Sequence, residues 1–175
     1  MDQISLELFQ VFSFDPLHWN CKDNTLAIQG EASIYIIQMR PSGELKRFQL
    51  HCASPVKAIL WSADPCQIVV EGVEKLHNVL FVSLSNGKIQ AWAQVYLSRL
   101  SRWCLQDEID VDNVQCWSQV QGQLYIGKSN GDFLILKFEN GNFKIKATHL
   151  NIIDEKITHI RPSQHGVALC HGPGN

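Results

Sequence analysis

Two stretches decide the fold: "LFVSLSNGKIQAW" (residues 80–92) and "LYIGKSNGDFLIL" (residues 124–136). Each runs from an apolar segment through Ser-Asn-Gly and one charged residue into a second apolar segment. That is the pattern of two strands joined by a tight hairpin, since Asn-Gly accepts positive φ at little steric cost. The apolar positions are consecutive rather than alternating ("LFV", "FLIL"), as expected of strands packed on both faces. Gly87 and Gly131 lie 44 positions apart.

Working outward, the same order of features recurs. Trp61-Ser62 and Trp117-Ser118 close the segment ahead of each pair, and Trp19-Asn20 occupies the matching place upstream, 42 positions before Trp61. A turn near Gly30 precedes "SIYII", and Gly174 falls 43 positions after Gly131. Only the Trp61 to Trp117 spacing, 56 positions, is long. The surplus fits the polar stretch "EGVEKLH" after Val70 and the segment "LSRLSRWCLQDEIDVD". Strand–turn repeats of about 40–45 residues are the spacing of β-propeller blades of the WD40 type. The expected architecture is all-β: an incomplete propeller of about three and a half blades, with units at 10–52, 53–110, 111–152 and 153–175. A small β-sandwich is the competing arrangement. Because the fourth unit stops after two strands and would leave open edges, the chain is expected to be the N-terminal part of a longer protein or a shortened product.

Bulk composition narrows the function. Among 175 residues, 45% are hydrophobic and 18% charged, enough for a buried core. A net charge of −2 gives no field that draws the chain onto nucleic acid or an anionic membrane. No apolar run nears the roughly 20 residues of a membrane span, and "MDQISLELFQ" lacks a basic leader. A cytosolic or nuclear location is expected. Six cysteines stand singly (Cys21, Cys52, Cys66, Cys104, Cys116, Cys170), as small hydrophobes of a reducing compartment do.

Chemical constellations are weak. His51-Cys52 and Cys170-His171 are adjacent pairs whose side chains point to opposite faces of a strand, so no zinc site follows. His165 stands too far along an extended strand to serve Cys170 as a base. The acidic run Asp107, Glu108, Asp110 and Asp112 lacks the Gly and Glu of a calcium loop and reads as a solvated loop. Lys144, Lys146, Lys156 and Arg161 suit exposed strand positions, leaving DNA contact at most indirect. No catalytic residue, metal or cofactor is assigned.

The five tryptophans divide. Trp19, Trp61 and Trp117 recur in phase and are expected in the core. Trp103 lies outside the repeat, just after Arg99 and Arg102, in a segment expected to loop. Trp103 with Arg99 and Arg102, beside Asp107, Glu108 and Asp110, is the expected partner-binding surface.

The Trp-Ser/Asn elements followed by Ser-Asn-Gly turns resemble a degenerate WD40 propeller, without its usual Gly-His and Trp-Asp dipeptides. Residues 14–37, "FDPLHWNCKDNTLAIQGEASIYII", further resemble the opening of the WD40-like subunit of transcription factor IIIC. Pro16, Leu17 and Trp19 match that family's Pro-Leu-x-Trp-Ser-x-Asp element, while Asn20 and Lys22 stand where it has Ser and Asp. The resemblance implies a non-catalytic scaffold among the protein subunits of the complex that recruits RNA polymerase III. It also implies a nuclear location, with the cytoplasm as alternative, and as a second reading the histone acetyltransferase activity described for that family. The propeller resemblance alone equally suits a scaffold in membrane traffic or the nuclear pore. The chain has no Gly-rich segment to cradle acetyl-CoA, so the enzyme reading draws only on the resemblance.

Overall fold

The computed structural model describes residues 17–20, 24–97, 100–163 and 165–172. These are all-β, 72% strand with no helix. Sixteen strands are described. The first sheet runs in order through β1 (Leu17–Asn20), β2 (Thr25–Gln29), β3 (Ser33–Met39) and β4 (Leu45–His51). The second holds β5 (Val56–Trp61), β8 (Val79–Leu84), β9 (Lys88–Leu97) and β10 (Leu100–Asp110). Between β5 and β8 the chain makes a separate hairpin, β6 (Cys66–Val70) with β7 (Val73–His77). The third sheet is β11 (Val114–Val120), β12 (Gln123–Lys128), β13 (Phe133–Glu139) and β14 (Asn142–His149). A two-stranded fourth sheet pairs β15 (Lys156–Ser163) with β16 (Gly166–Gly172). All pairings are antiparallel, and no closed ring of sheets is formed among the described residues.

The sheets stack face to face, and consecutive apolar residues are what allow it. In β8 every residue is buried. Leu80, Val82 and Leu84 join Ala27, Ile34 and Ile36 between the first and second sheets. Val79 and Phe81 point the other way, joining Leu124, Leu134 and Phe138 between the second and third. Period-2 alternation thus sends neighbouring residues into two different cores. Phe81, Phe138 and Phe143 meet there with ring centroids 5.2 to 6.0 Å apart. The fourth sheet closes on the third through Ile157, Ile160 and Phe133. It can approach because Gly127 lacks a side chain: a Cβ there would stand 2.6 Å from Ile157 Cγ2.

The register gives the repeated tryptophan a structural meaning. Trp19 stands opposite Leu26, Trp61 opposite Leu80, and Trp117 opposite Ile126. Ile160, opposite Leu169, takes the corresponding place in the fourth sheet. Trp61 packs at the first interface, and its Nε1 donates to the His18 carbonyl at 2.9 Å.

The surplus in the second unit divides differently from the sequence expectation. Residues 66–77 form the extra hairpin, whereas 100–110 are the fourth strand of the sheet, paired along their length with β9. The charged residues of that segment had suggested a loop. An edge strand tolerates them because one side faces water.

The Ser-Asn-Gly turns also differ in type. Gly87 and Gly131 have φ +81° and +80°, but Asn86 and Asn130 do not have positive φ. Each loop therefore ends in one left-handed glycine rather than using the two-residue turn. That turn occurs at Glu71-Gly72, Gln121-Gly122 and Asn140-Gly141, where both residues have positive φ. The Ser-Asn-Gly turns recur because they clasp the connectors between sheets. Val111 N donates to Gly87 O at 2.6 Å, and Ser129 N donates to Asn113 O at 2.9 Å. One connector earlier, Val56 N donates to Glu31 O at 2.7 Å and Ser85 N to Pro55 O at 2.8 Å.

Candidate interaction surface

The sequence places partner binding on the segment around Trp103, which the structure makes the outermost strand of the second sheet. Its residues have distinct tasks. Arg102 is exposed, opposite Val95, while Arg99 lies outside the described residues. Trp103 is half-buried, packed at the first interface with its ring 5.8 Å from that of Trp61. Its Nε1 is buried with no hydrogen-bond partner among the described residues. A β-strand points alternate side chains to opposite faces, so Trp103 turns inward between Arg102, which faces out, and Cys104.

The acidic residues divide similarly. Asp107 accepts a hydrogen bond from Phe143 N at 2.6 Å, tying the second sheet to the third. Glu108 accepts from Lys88 Nζ and, at 2.6 Å, from Gln90 Nε2. These two bonds hold its carboxyl below the ordinary glutamate value, Lys88 contributing most. Asp112, in the connector to β11, pairs with Lys128 at 2.8 Å, which lowers its carboxyl likewise. Asp110, opposite Lys88 in the register, is exposed. The acidic run therefore serves internal pairing at three positions and solvent at one. Among the described residues no group of three or more His, Cys, Asp or Glu is placed to hold a metal ion.

A bulge between Leu105 and Asp107 interrupts the register, and Leu105 is 43% exposed. The exposed side chains of β10 are thus Arg102, opposite Val95 on one face, and Leu105 and Asp110, opposite Trp92 and Lys88 on the other.

Beside the start of β10 lies a groove of about 350 Å³ that the sequence reading missed. Met39, Arg40 and Lys46 line it from the first sheet, Tyr96 and Ser101 from the second. Tyr96 is 61% exposed. Gln38 and Gln94 bridge the two sheets side chain to side chain at 3.3 Å. Such a wall of exposed aromatic, Met and basic side chains has the composition of an interaction surface. Period-2 counting from Trp92 and Gln94 puts Tyr96 on their face of β9. That its end of the face lies uncovered depends on where the first sheet stops, which local sequence does not state.

Of the cysteines, Cys66 is buried, and burial pushes its thiol up to about 11. Cys52, Cys104 and Cys116 are half-buried, and Cys170 is exposed, unlike the core role expected.

No family model and no curated protein matches this chain.

Proposed function

We propose that this chain is a non-catalytic protein-interaction scaffold, built as part of a WD40-like β-propeller, in the nuclear transcription factor IIIC complex that serves RNA polymerase III. The observation that carries the scaffold reading is the outer strand β10. It leaves Arg102, Leu105 and Asp110 exposed, with the groove under Tyr96 beside its first residues, while Trp103, Asp107 and Glu108 are committed to internal contacts. Repeated four-stranded antiparallel sheets, stacked with both faces buried, support the propeller reading. The assignment to that complex rests on the resemblance of residues 14–37, of which 14–16 and 21–23 lie outside the described residues. Fold alone does not choose among assemblies, because propellers host unrelated functions.

The test is co-purification with quantitative mass spectrometry, comparing the wild-type chain with the triple variant Arg102→Glu, Leu105→Asp, Asp110→Lys. All three side chains are exposed, so the variant should keep its denaturation midpoint. Loss of co-purifying subunits of the polymerase III machinery is expected. An unchanged set of partners would remove β10 from the interface. Recovery of membrane-coat or nuclear-pore proteins instead would move the scaffold to another assembly. Saturable acetyl-CoA binding would overturn the non-catalytic reading.

A further inference from the structure

Among the described side chains Tyr96 is the one exposed Phe, Trp or Tyr. A ring left in water forgoes the stabilisation of burial, and tyrosine is among the side chains that dominate protein contacts. Tyr96 stands two residues beyond Gln94, whose amide meets that of Gln38, so it projects just past the bridge that joins the first two sheets. Its hydroxyl has no hydrogen-bond partner among the described residues. A hollow lies on either side of it. One is the groove of about 350 Å³ that Met39, Arg40 and Lys46 line from the first sheet. The other, about 120 Å³, is lined by Glu71, Val73, Lys75 and His77 of the β6–β7 hairpin.

The two hollows differ in charge. In the first, Arg40 is neutralised by Glu44 at 2.7 Å. Lys46, opposite Gln38 in the register and half-buried, has no carboxylate partner among the described residues. A partly desolvated ammonium without a counter-charge is the group that an incoming carboxylate stabilises. In the second, Glu71 offsets Lys75, while Val73 is 52% exposed, so this side offers apolar surface rather than net charge. A single-stranded nucleic acid also stacks on aromatic rings beside cations. One unbalanced lysine on a chain of net charge −2 favours a peptide.

We propose that Tyr96 and the hollows on its two sides form a docking site for an extended segment of another protein in which acidic residues adjoin apolar ones. The segment crosses the Tyr96 ring. Its carboxylate meets Lys46 and accepts from the Tyr96 hydroxyl, and its apolar side chains cover the ring and Val73. The aromatic anchor supplies affinity, and the lysine selects the sign of the charge. This inference rests on the scaffold reading for the kind of partner, yet it uses none of Arg102, Leu105 and Asp110.

The test uses the full chain and two fluorescent nine-residue peptides, one with Glu-Glu-Phe-Leu at its centre, the other with Lys-Lys-Phe-Leu. The acidic peptide should bind about tenfold or more tightly than the basic one, and should slow hydrogen exchange at residues 38–46 and 94–96. Lys46→Gln should abolish the preference, and Tyr96→Ala should weaken the acidic peptide about tenfold. Neither side chain makes a hydrogen bond among the described residues, so both variants should keep the wild-type denaturation midpoint. The triple variant of β10 should bind the acidic peptide as the wild type does. Equal binding of the two peptides, a preference that survives Lys46→Gln, or protection confined to other strands overturns the proposal. So does tighter binding of a single-stranded oligonucleotide, which would assign the groove to nucleic acid. If the acidic peptide fails to bind while the triple variant still loses its co-purified partners, this site falls and the scaffold reading stands.

Discussion

At the scale of single residues, the strictest requirement falls on Gly131. Its φ of +80° disfavours any L side chain, and a Cβ would stand 1.7 Å from the carbonyl oxygen of Ile153, in backbone that cannot step aside. Gly43 has nearly the same φ, +82°, but nothing within 4 Å of the added carbon. Replacing each by Ala separates conformation from packing. Gly43→Ala should cost about 1–2 kcal/mol, and Gly131→Ala on the order of 4 kcal/mol, read from urea midpoints. Equal costs would show that the clasp between this turn and the next connector contributes nothing. The Ser-Asn-Gly motif was legible in the sequence as a turn. Its true requirement was not, because Ile153 lies 22 positions downstream and meets Gly131 only after the third and fourth sheets stack. Trp103 teaches the converse. Its neighbours Arg102 and Asp107 made the stretch look like a surface loop, and its partner Trp61 lies far back in the chain. Hence the side chains of β10 that reach solvent are others: Arg102, Leu105 and Asp110.

At the scale of elements, the β6–β7 hairpin is an insertion by topology yet part of the core by packing. Cys66 and Ile68 are buried with Phe81 and Phe138, while Leu76 on the partner strand is 70% exposed. Ile68→Ala should therefore destabilise the chain by about 2–4 kcal/mol, and Leu76→Ala should stay within about 0.5 kcal/mol. Chemical denaturation of the two variants checks this; equal midpoints would make the hairpin a dispensable appendage. Sequence spacing revealed that something extra lay between Trp61 and Trp117. It could not tell which residues were extra, because both candidate stretches are polar and only backbone pairing distinguishes a fourth strand from an inserted hairpin.

At the scale of the whole molecule, burial falls from the middle of the stack toward its end. β8 is buried on both faces by two neighbouring sheets, whereas among the described residues β16 has one neighbouring sheet and one paired edge. Local opening follows buried contact, so amide exchange should be slowest along residues 79–84 and fastest, among the strands, along 166–172. Mass-spectrometric hydrogen exchange of the unliganded chain reads this directly. Uniform protection across the four sheets would mean that the stack opens only as one unit.

The sequence by itself determined the all-β class, the strand–turn period and the phase of Trp61 and Trp117. These are local matters: consecutive apolar residues suit strands buried on both faces, and glycine takes backbone angles that other residues avoid. Tertiary structure alone decided which charged stretch became a strand and which of its side chains reach solvent. Those outcomes depend on pairing between residues far apart in the chain, for which a single stretch of sequence carries no record of its partner.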